Sequence, residues 1–165
     1  MTGATFGRQL KLPDVHGRMR SLAEFRGKAV IVMFGYTACP DVCPTSLARF
    51  AEAIKALGPA AQQVQLIFVS LDPERDLPKQ LQDFVSWFHP GFLGLRGDVA
   101  QTRAAADEFR VFSSRREIGG GLGYVLDHST GAYLYDPAGR LRLYVRDTAP
   151  VADIAADLQT LVAGG

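Results

Sequence analysis

The sequence predicts one α/β domain, a sheet of parallel and antiparallel strands covered on both faces by helices. Three observations predict it. Residues 28–35 and 64–71 are continuous apolar runs rich in β-branched side chains, the pattern of strands buried on both faces. Between them Leu47, Phe50, Ala51, Ile54 and Leu57 recur at helical spacing. Residues 132–135 and 141–145 form two short apolar runs joined by Asp136-Pro137-Ala138-Gly139, a turn that pairs them antiparallel.

The remaining elements follow in order. Residues 6–12 alternate apolar and polar and are expected as a strand, turned by residues 14–18 with Gly17. Ser21 and Glu24 have the spacing of a helix capping box, with Gly27 as a stop. After the 28–35 strand, Pro44 is expected at the first helical position and Gly58-Pro59 at the end of that helix. Leu77 or Pro78 opens a helix closed by His89-Pro90-Gly91, and residues 102–109 form another. Residues from 111 are expected to be extended and 124–126 to be a strand. Pro150 starts a final helix to about Val162. A β-α-β half followed by a β-β-α half is the thioredoxin arrangement. An N-terminal β-hairpin and an inserted segment around residues 89–120 would decorate it.

The chain of 165 residues fits a single domain spanning 1–165. A chain of that length buries roughly 70% of its unfolded surface and needs no disulfide scaffold. Eighteen basic residues balance seventeen acidic ones, so no strong field points to nucleic acid or an anionic membrane. No apolar run approaches the ~20 residues that span a bilayer. Residues 1–4 do not open a signal peptide.

The two cysteines of the chain, Cys39 and Cys43, lie in Thr37-Ala38-Cys39-Pro40-Asp41-Val42-Cys43-Pro44, between a buried strand and a helix. With Cys43 at the helix cap, both sulfurs face the positive helix end, which favours thiolate. A pair of buried small hydrophobes is the plain alternative. A structural disulfide over so short a loop constrains little of the unfolded chain. The spacing leaves a redox dithiol and a metal site. Three intervening residues differ from the two of thioredoxin-type dithiols. Zinc and iron–sulfur sites want more cysteines than two. Cu(I) is content with two or three soft ligands.

Three histidines could join them. His16 falls in the N-terminal turn and His89 at a helix end, where plain structural roles suffice. His128 falls in Leu126-Asp127-His128-Ser129. In a thioredoxin arrangement the loop entering the hairpin strand lies against the cysteine loop and carries a cis-proline. Here no proline occurs between Pro90 and Pro137, and His128 occupies that segment. Asp127 beside it is a candidate partner for the ring, although neighbours on extended chain point apart.

The residues 34–44, Phe-Gly-Tyr-Thr-Ala-Cys-Pro-Asp-Val-Cys-Pro, closely resemble the signature of the Sco/SenC copper-chaperone family. Ser70-Leu71-Asp72-Pro73-Glu74-Arg75-Asp76 resembles its second block. Asp127-His128-Ser129, with Tyr133-Leu134-Tyr135-Asp136-Pro137-Ala138-Gly139, resembles its third. Leu77 stands where relatives often carry threonine. The resemblance implies a thioredoxin-like domain that binds one copper, as Cu(I) or Cu(II), through Cys39, Cys43 and His128. It implies a role in building the binuclear copper centre of cytochrome c oxidase. The implied partners are the copper-bearing oxidase subunit and a copper donor chaperone. It also implies an extracytoplasmic location behind a membrane anchor that these residues do not contain. A monomer is expected.

On this reading the protein is a carrier and not a turnover enzyme. The rival is a thiol–disulfide reductase that keeps the oxidase cysteines reduced, and a thiol peroxidase is a third class. Asp72 and Asp76 are candidates for acids behind the ligands, or for loop caps and surface ion pairs. Phe34, Tyr36 and Phe112 are candidates for an apolar shell or for plain core. The glycine-rich residues 117–123 precede no helix, so they are not a phosphate loop. A lid or hairpin near the metal is the other reading.

Overall fold

The computed structural model describes residues 6–38, 42–118 and 123–164, with the backbone alone for Val42 and Cys43. Its centre is β3 (Ala29–Gly35), in which every residue is buried. Odd and even positions of a strand face opposite sides. Ala29, Ile31 and Met33 therefore join one apolar cluster, while Val30, Val32 and Phe34 join another. This alternation gives the layers. On the first face lie α1 (Val42–Lys55), α2 (Pro78–Phe88) and α4 (Val151–Val162), through Leu47, Phe50, Leu81, Val85, Ile154 and Leu158. On the second face lie α3 (Val99–Glu108) and the N-terminal segment, through Ala105, Ala106, Leu10 and Leu12.

β3 pairs parallel with β4 (Val64–Ser70), which pairs parallel with β5 (Leu93–Leu95). On its other side β3 pairs antiparallel with β8 (Ala132–Tyr135), and β8 with β9 (Leu141–Val145). The order β5-β4-β3-β8-β9 contains the expected β3-α1-β4 and β8-β9-α4 halves of a thioredoxin-like fold. Two small sheets stand outside it. One is the hairpin of β1 (Lys11–Pro13) and β2 (Met19–Ser21), and the other is the hairpin of β6 (Ser113–Glu117) and β7 (Tyr124–His128). At the first turn, Asp14 Oδ1 accepts from the His16 and Arg18 amides at 2.9 and 3.0 Å.

The structure departs from the sequence reading in several places. The first strand begins at Lys11, because residues 8–10 run beside the sheet without joining a ladder. The capping box forms, yet it caps one 3-10 turn, Leu22–Phe25, instead of an α-helix. The first long helix begins at Val42, two residues before Pro44, so Cys43 lies within the first turn and not at the cap. That helix ends at Lys55, and a separate 3-10 helix, Gly58–Gln63, leads into β4. The third helix opens at Val99 behind the Asp98 cap, which accepts from the Gln101 amide at 2.7 Å. The short β5 was not anticipated.

Asp136, buried in the β8–β9 turn, accepts from the Arg140 amide at 2.9 Å and pairs with Arg140 and Arg142 at 2.8 and 3.2 Å. Burial pushes its carboxyl up, but these hydrogen bonds outweigh burial and hold it below its ordinary value of 3.8. A carboxyl lowered in the folded state stabilises the fold above its unfolded value and loses that contribution as pH falls through its folded value. Asp136→Asn is therefore expected to lower stability at pH 7 by about 1–3 kcal/mol. The gap to wild type should close below pH 3.8. Thermal unfolding across pH checks this, and a gap independent of pH would contradict it. Leu77 occupies the N-cap of α2 without a side-chain hydrogen bond and is 52% exposed. Leu77→Thr supplies the missing acceptor and should raise stability by about 0.5–1 kcal/mol in urea denaturation.

Candidate metal centre at the carboxyl edge of the sheet

β3 and β4 run parallel and end side by side, with Gly35 opposite Ser70. Ligand sites in open α/β sheets favour this carboxyl edge. Tyr36 leaves β3 and begins the segment that carries the cysteines, and Leu71 leaves β4, its amide donating to the Gly35 carbonyl at 2.7 Å. Cys39 and the side chain of Cys43 lie outside the described residues, as do Pro40 and Asp41. Among the described residues no group of three His, Cys, Asp or Glu side chains could hold a metal ion.

His128 ends β7 and lies at this edge. Its ring meets the ring of Tyr36 edge-on, with centroids 5.8 Å apart. Its Nδ1 lies 2.8 Å from the Ser129 carbonyl, which suits donation and leaves Nε2 as the ring's acceptor nitrogen. The buried Tyr36 also accepts from the Leu126 amide at 3.0 Å. One tyrosine thus ties the strand of His128 to the root of the cysteine segment. The chain then passes Gly131, at φ +110°, where a Cβ would meet Tyr144 Oη at 2.6 Å and the Val145 carbonyl at 2.8 Å. Only glycine lets the link from His128 enter β8 so close to β9.

The acids of the turn after β4 have separate partners. Asp76 is buried, and its carboxylate accepts from Thr37 Oγ1 at 2.6 Å, the Thr37 amide at 3.1 Å and Ser70 Oγ at 2.7 Å. It therefore anchors the residue two positions before Cys39. Asp72 accepts from Arg75 Nε and from Tyr124 Oη, the latter at 2.7 Å. Burial and the bond to Asp72 both push the Tyr124 phenol above its ordinary value. Burial alone would lower the Arg75 guanidinium, but the hydrogen bond to Asp72 raises it on balance. Nη2 of Arg75 is buried and has no hydrogen-bond partner among the described residues.

Asp127, a candidate partner for the His128 ring, lies on the opposite face of β7 and pairs with Arg116 at 3.0 Å. Successive residues of a strand face opposite sides, so sequence adjacency separated the two side chains. Phe34 is core, against Phe109 and Tyr133. Phe112 is 62% exposed, and its amide donates to Ser129 Oγ at 2.8 Å beside His128. His16 is exposed in its turn, as expected. His89 stacks on Phe92 and accepts from the Gly91 amide at 2.9 Å, instead of bonding the helix carbonyls. The expected hairpin around the glycine-rich stretch exists as β6–β7, and residues 119–122 lie outside the described residues. The anchoring by Asp76 and Tyr36 was not readable from motif spacing, since both were equally consistent with loop capping and core.

Asp76→Ala strands the Thr37 amide and two hydroxyls in a buried place. It should cost about 2–4 kcal/mol. Urea denaturation checks this, and a midpoint equal to wild type would contradict the anchor.

The SCO1/SenC family model matches residues 1–163. The SCO2-like protein of Rickettsia felis is 35% identical over 148 residues, covering 87% of this chain and 71% of that protein. The mitochondrial SCO2 homolog of Homo sapiens is 38% identical over 130 residues, covering 78% of this chain. The match spans only 49% of the human protein's length. The solved structure of Bradyrhizobium japonicum ScoI with copper bound matches with a TM-score of 0.84 at 36% identity, covering 96% of this chain and 99% of that one. Yeast Sco1 with copper bound matches with a TM-score of 0.86 at 29% identity, covering 98% and 91%. With near-complete coverage by the family model, and with the exit of β3, the acidic turn and the His128 strand meeting at one edge of a thioredoxin-like sheet, the chain belongs to the SCO1/SenC family.

Proposed function

We propose that the protein is a copper carrier in which Cys39, Cys43 and His128 hold one copper ion. The observation that carries the reading is the packing of the His128 ring against Tyr36, the residue from which the cysteine segment departs. Two thiolates and an imidazole are a donor set suited to Cu(I), and the imidazole also suits Cu(II). The copper-bound relatives from Bradyrhizobium japonicum and yeast support the cargo. Loading releases the thiol protons. A low-coordinate site lets an incoming thiolate of the acceptor replace one ligand at a time, which suits delivery to the copper-bearing subunit during cytochrome c oxidase assembly. A copper donor chaperone would load the site. The mitochondrial relative fits an extracytoplasmic place of action.

A second reading rests on the same dithiol at a strand-to-helix turn of a thioredoxin-like fold. Cys39 and Cys43 would pass two electrons to a disulfide of the acceptor and become a disulfide themselves. Cu(I) titration of the reduced protein beside His128→Ala separates the two. Carriage predicts an affinity loss of more than about 100-fold with unchanged dithiol reactivity, exceeding what an outer hydrogen-bond partner contributes. Equal affinity in the two proteins favours the reductase.

A further inference from the structure

The β6–β7 hairpin carries His128, but among the described residues it shares no ladder with the central sheet. All five residues of β6 are exposed. A lone two-stranded hairpin is marginally stable in water, so its position depends on what ties it to the core. Leu126 packs against the second apolar cluster, which includes Ala105 and Ala106 of α3, but the packing beside α3 is incomplete. A cavity of about 350 Å³ opens there, lined by Leu71, Asp72, Thr102, Ala106, Ser113 and Tyr124 among others.

The tie is on one face of β7. Tyr124, Leu126 and His128 alternate onto the same side of the strand. The His128 ring meets the Tyr36 ring, and the backbone amide of Leu126 donates to the Tyr36 hydroxyl. Tyr124 meets the turn after β4: its phenol donates to Asp72 Oδ1 at 2.7 Å. Arg75 closes the triangle. Its Nε donates to Asp72 Oδ2, and its Nη1 donates to the Tyr124 carbonyl at 2.8 Å. Its guanidinium carbon lies 3.7 Å from the Tyr124 ring centroid and 5.7 Å from that of Tyr36. The Arg115 guanidinium carbon also lies 3.7 Å from the Tyr124 centroid. Two guanidinium groups at that distance cannot share one face of a ring, so the two arginines clamp it. Stacked, hydrogen-bonded arginine of this kind is not replaced by lysine, which lacks the planar fork.

We infer that Asp72, Arg75 and Tyr124 form a latch that holds the β6–β7 hairpin on the carboxyl edge of β4 and so sets the position of the His128 imidazole. They are positioning residues, and their value to copper carriage rests on the reading above. The latch refers the hairpin to the same strand ends from which the cysteine segment departs. The His128 imidazole and Tyr36, the residue from which the cysteine segment departs, thus share one frame although they are remote in sequence. Outer groups that orient a ligand typically change metal affinity by about 10–100-fold when removed.

The test compares wild type, Tyr124→Phe, Arg75→Lys and His128→Ala in two measurements. In the metal-free protein, NMR reads the His128 ring-proton shifts, which the Tyr36 ring displaces, and hydrogen exchange of the Leu126 amide. In the loaded protein, Cu(I) affinity and the absorption spectrum of the Cu(II) form are read. The latch predicts His128 shifts moving toward random-coil values in Tyr124→Phe and Arg75→Lys. It also predicts Leu126 exchange faster by about 10-fold or more, and Cu(I) affinity lower by about 10–100-fold. Denaturation midpoints of both variants should stay near wild type. Variants with wild-type His128 shifts and wild-type Leu126 protection overturn the latch. A wild type that binds no copper, or a His128→Ala variant that binds it equally well, defeats the copper reading instead, and the metal-free measurements still decide the latch. If Arg75→Lys fails to fold, Tyr124→Phe, which removes one oxygen and keeps the ring, decides it alone.

Discussion

The buried carboxylate of Asp76 joins the exits of two parallel strands, and the arrangement of the site edge follows from that joint. Its oxygens take the amide and hydroxyl of Thr37 after β3 and the hydroxyl of Ser70 at the end of β4. A charge taken out of water needs filled acceptor positions. Here those positions are filled by the backbone and side chain that lead toward Cys39. Burying the acid and fixing Thr37, where the cysteine segment begins, are therefore one problem with one solution. The neighbouring Asp72 applies the same logic outward, accepting from Arg75 and Tyr124 and fastening the hairpin that carries His128.

The sheet makes this economical. Both faces of β3 are covered, so side chains at its exit are screened from water by helices on one side and by the N-terminal segment and α3 on the other. Tyr36 can then be buried while its hydroxyl accepts from Leu126 and its ring supports His128. The β6–β7 hairpin is placed by these contacts, by Leu126 against the second apolar cluster and by the latch, since among the described residues it forms no ladder with the central sheet.

Much of this was legible in the sequence. The apolar runs of β3, β4, β8 and β9 and the helical stripe of α1 stand out because burial on two faces or one stripe leaves a periodic mark, and α2 is marked by the prolines at its two ends. The motif of Cys39 and Cys43, and the segment of His128, carried the family resemblance. Other elements left no mark. β5 is three residues around Gly94, too short for a period. β6 reads Ser-Ser-Arg-Arg-Glu, fully exposed, with no alternation to detect. The start of α1 was placed at Pro44, because proline suits a first turn, but the first turn accommodates it two residues further in.

By itself the sequence determined the layers, the parallel and antiparallel halves of the sheet, and the kind of ligand chemistry the chain carries, since each leaves a local pattern of apolar, soft or turn-forming residues. Only the tertiary structure decided which acid serves which group. Asp127 adjoins His128 in the chain yet pairs with Arg116 on the far face. Asp76, 39 residues from Thr37, and Asp72, 52 residues from Tyr124, hold the frame instead. Strand alternation separates neighbours and sheet register unites distant residues, and neither distance is written in the order of the amino acids.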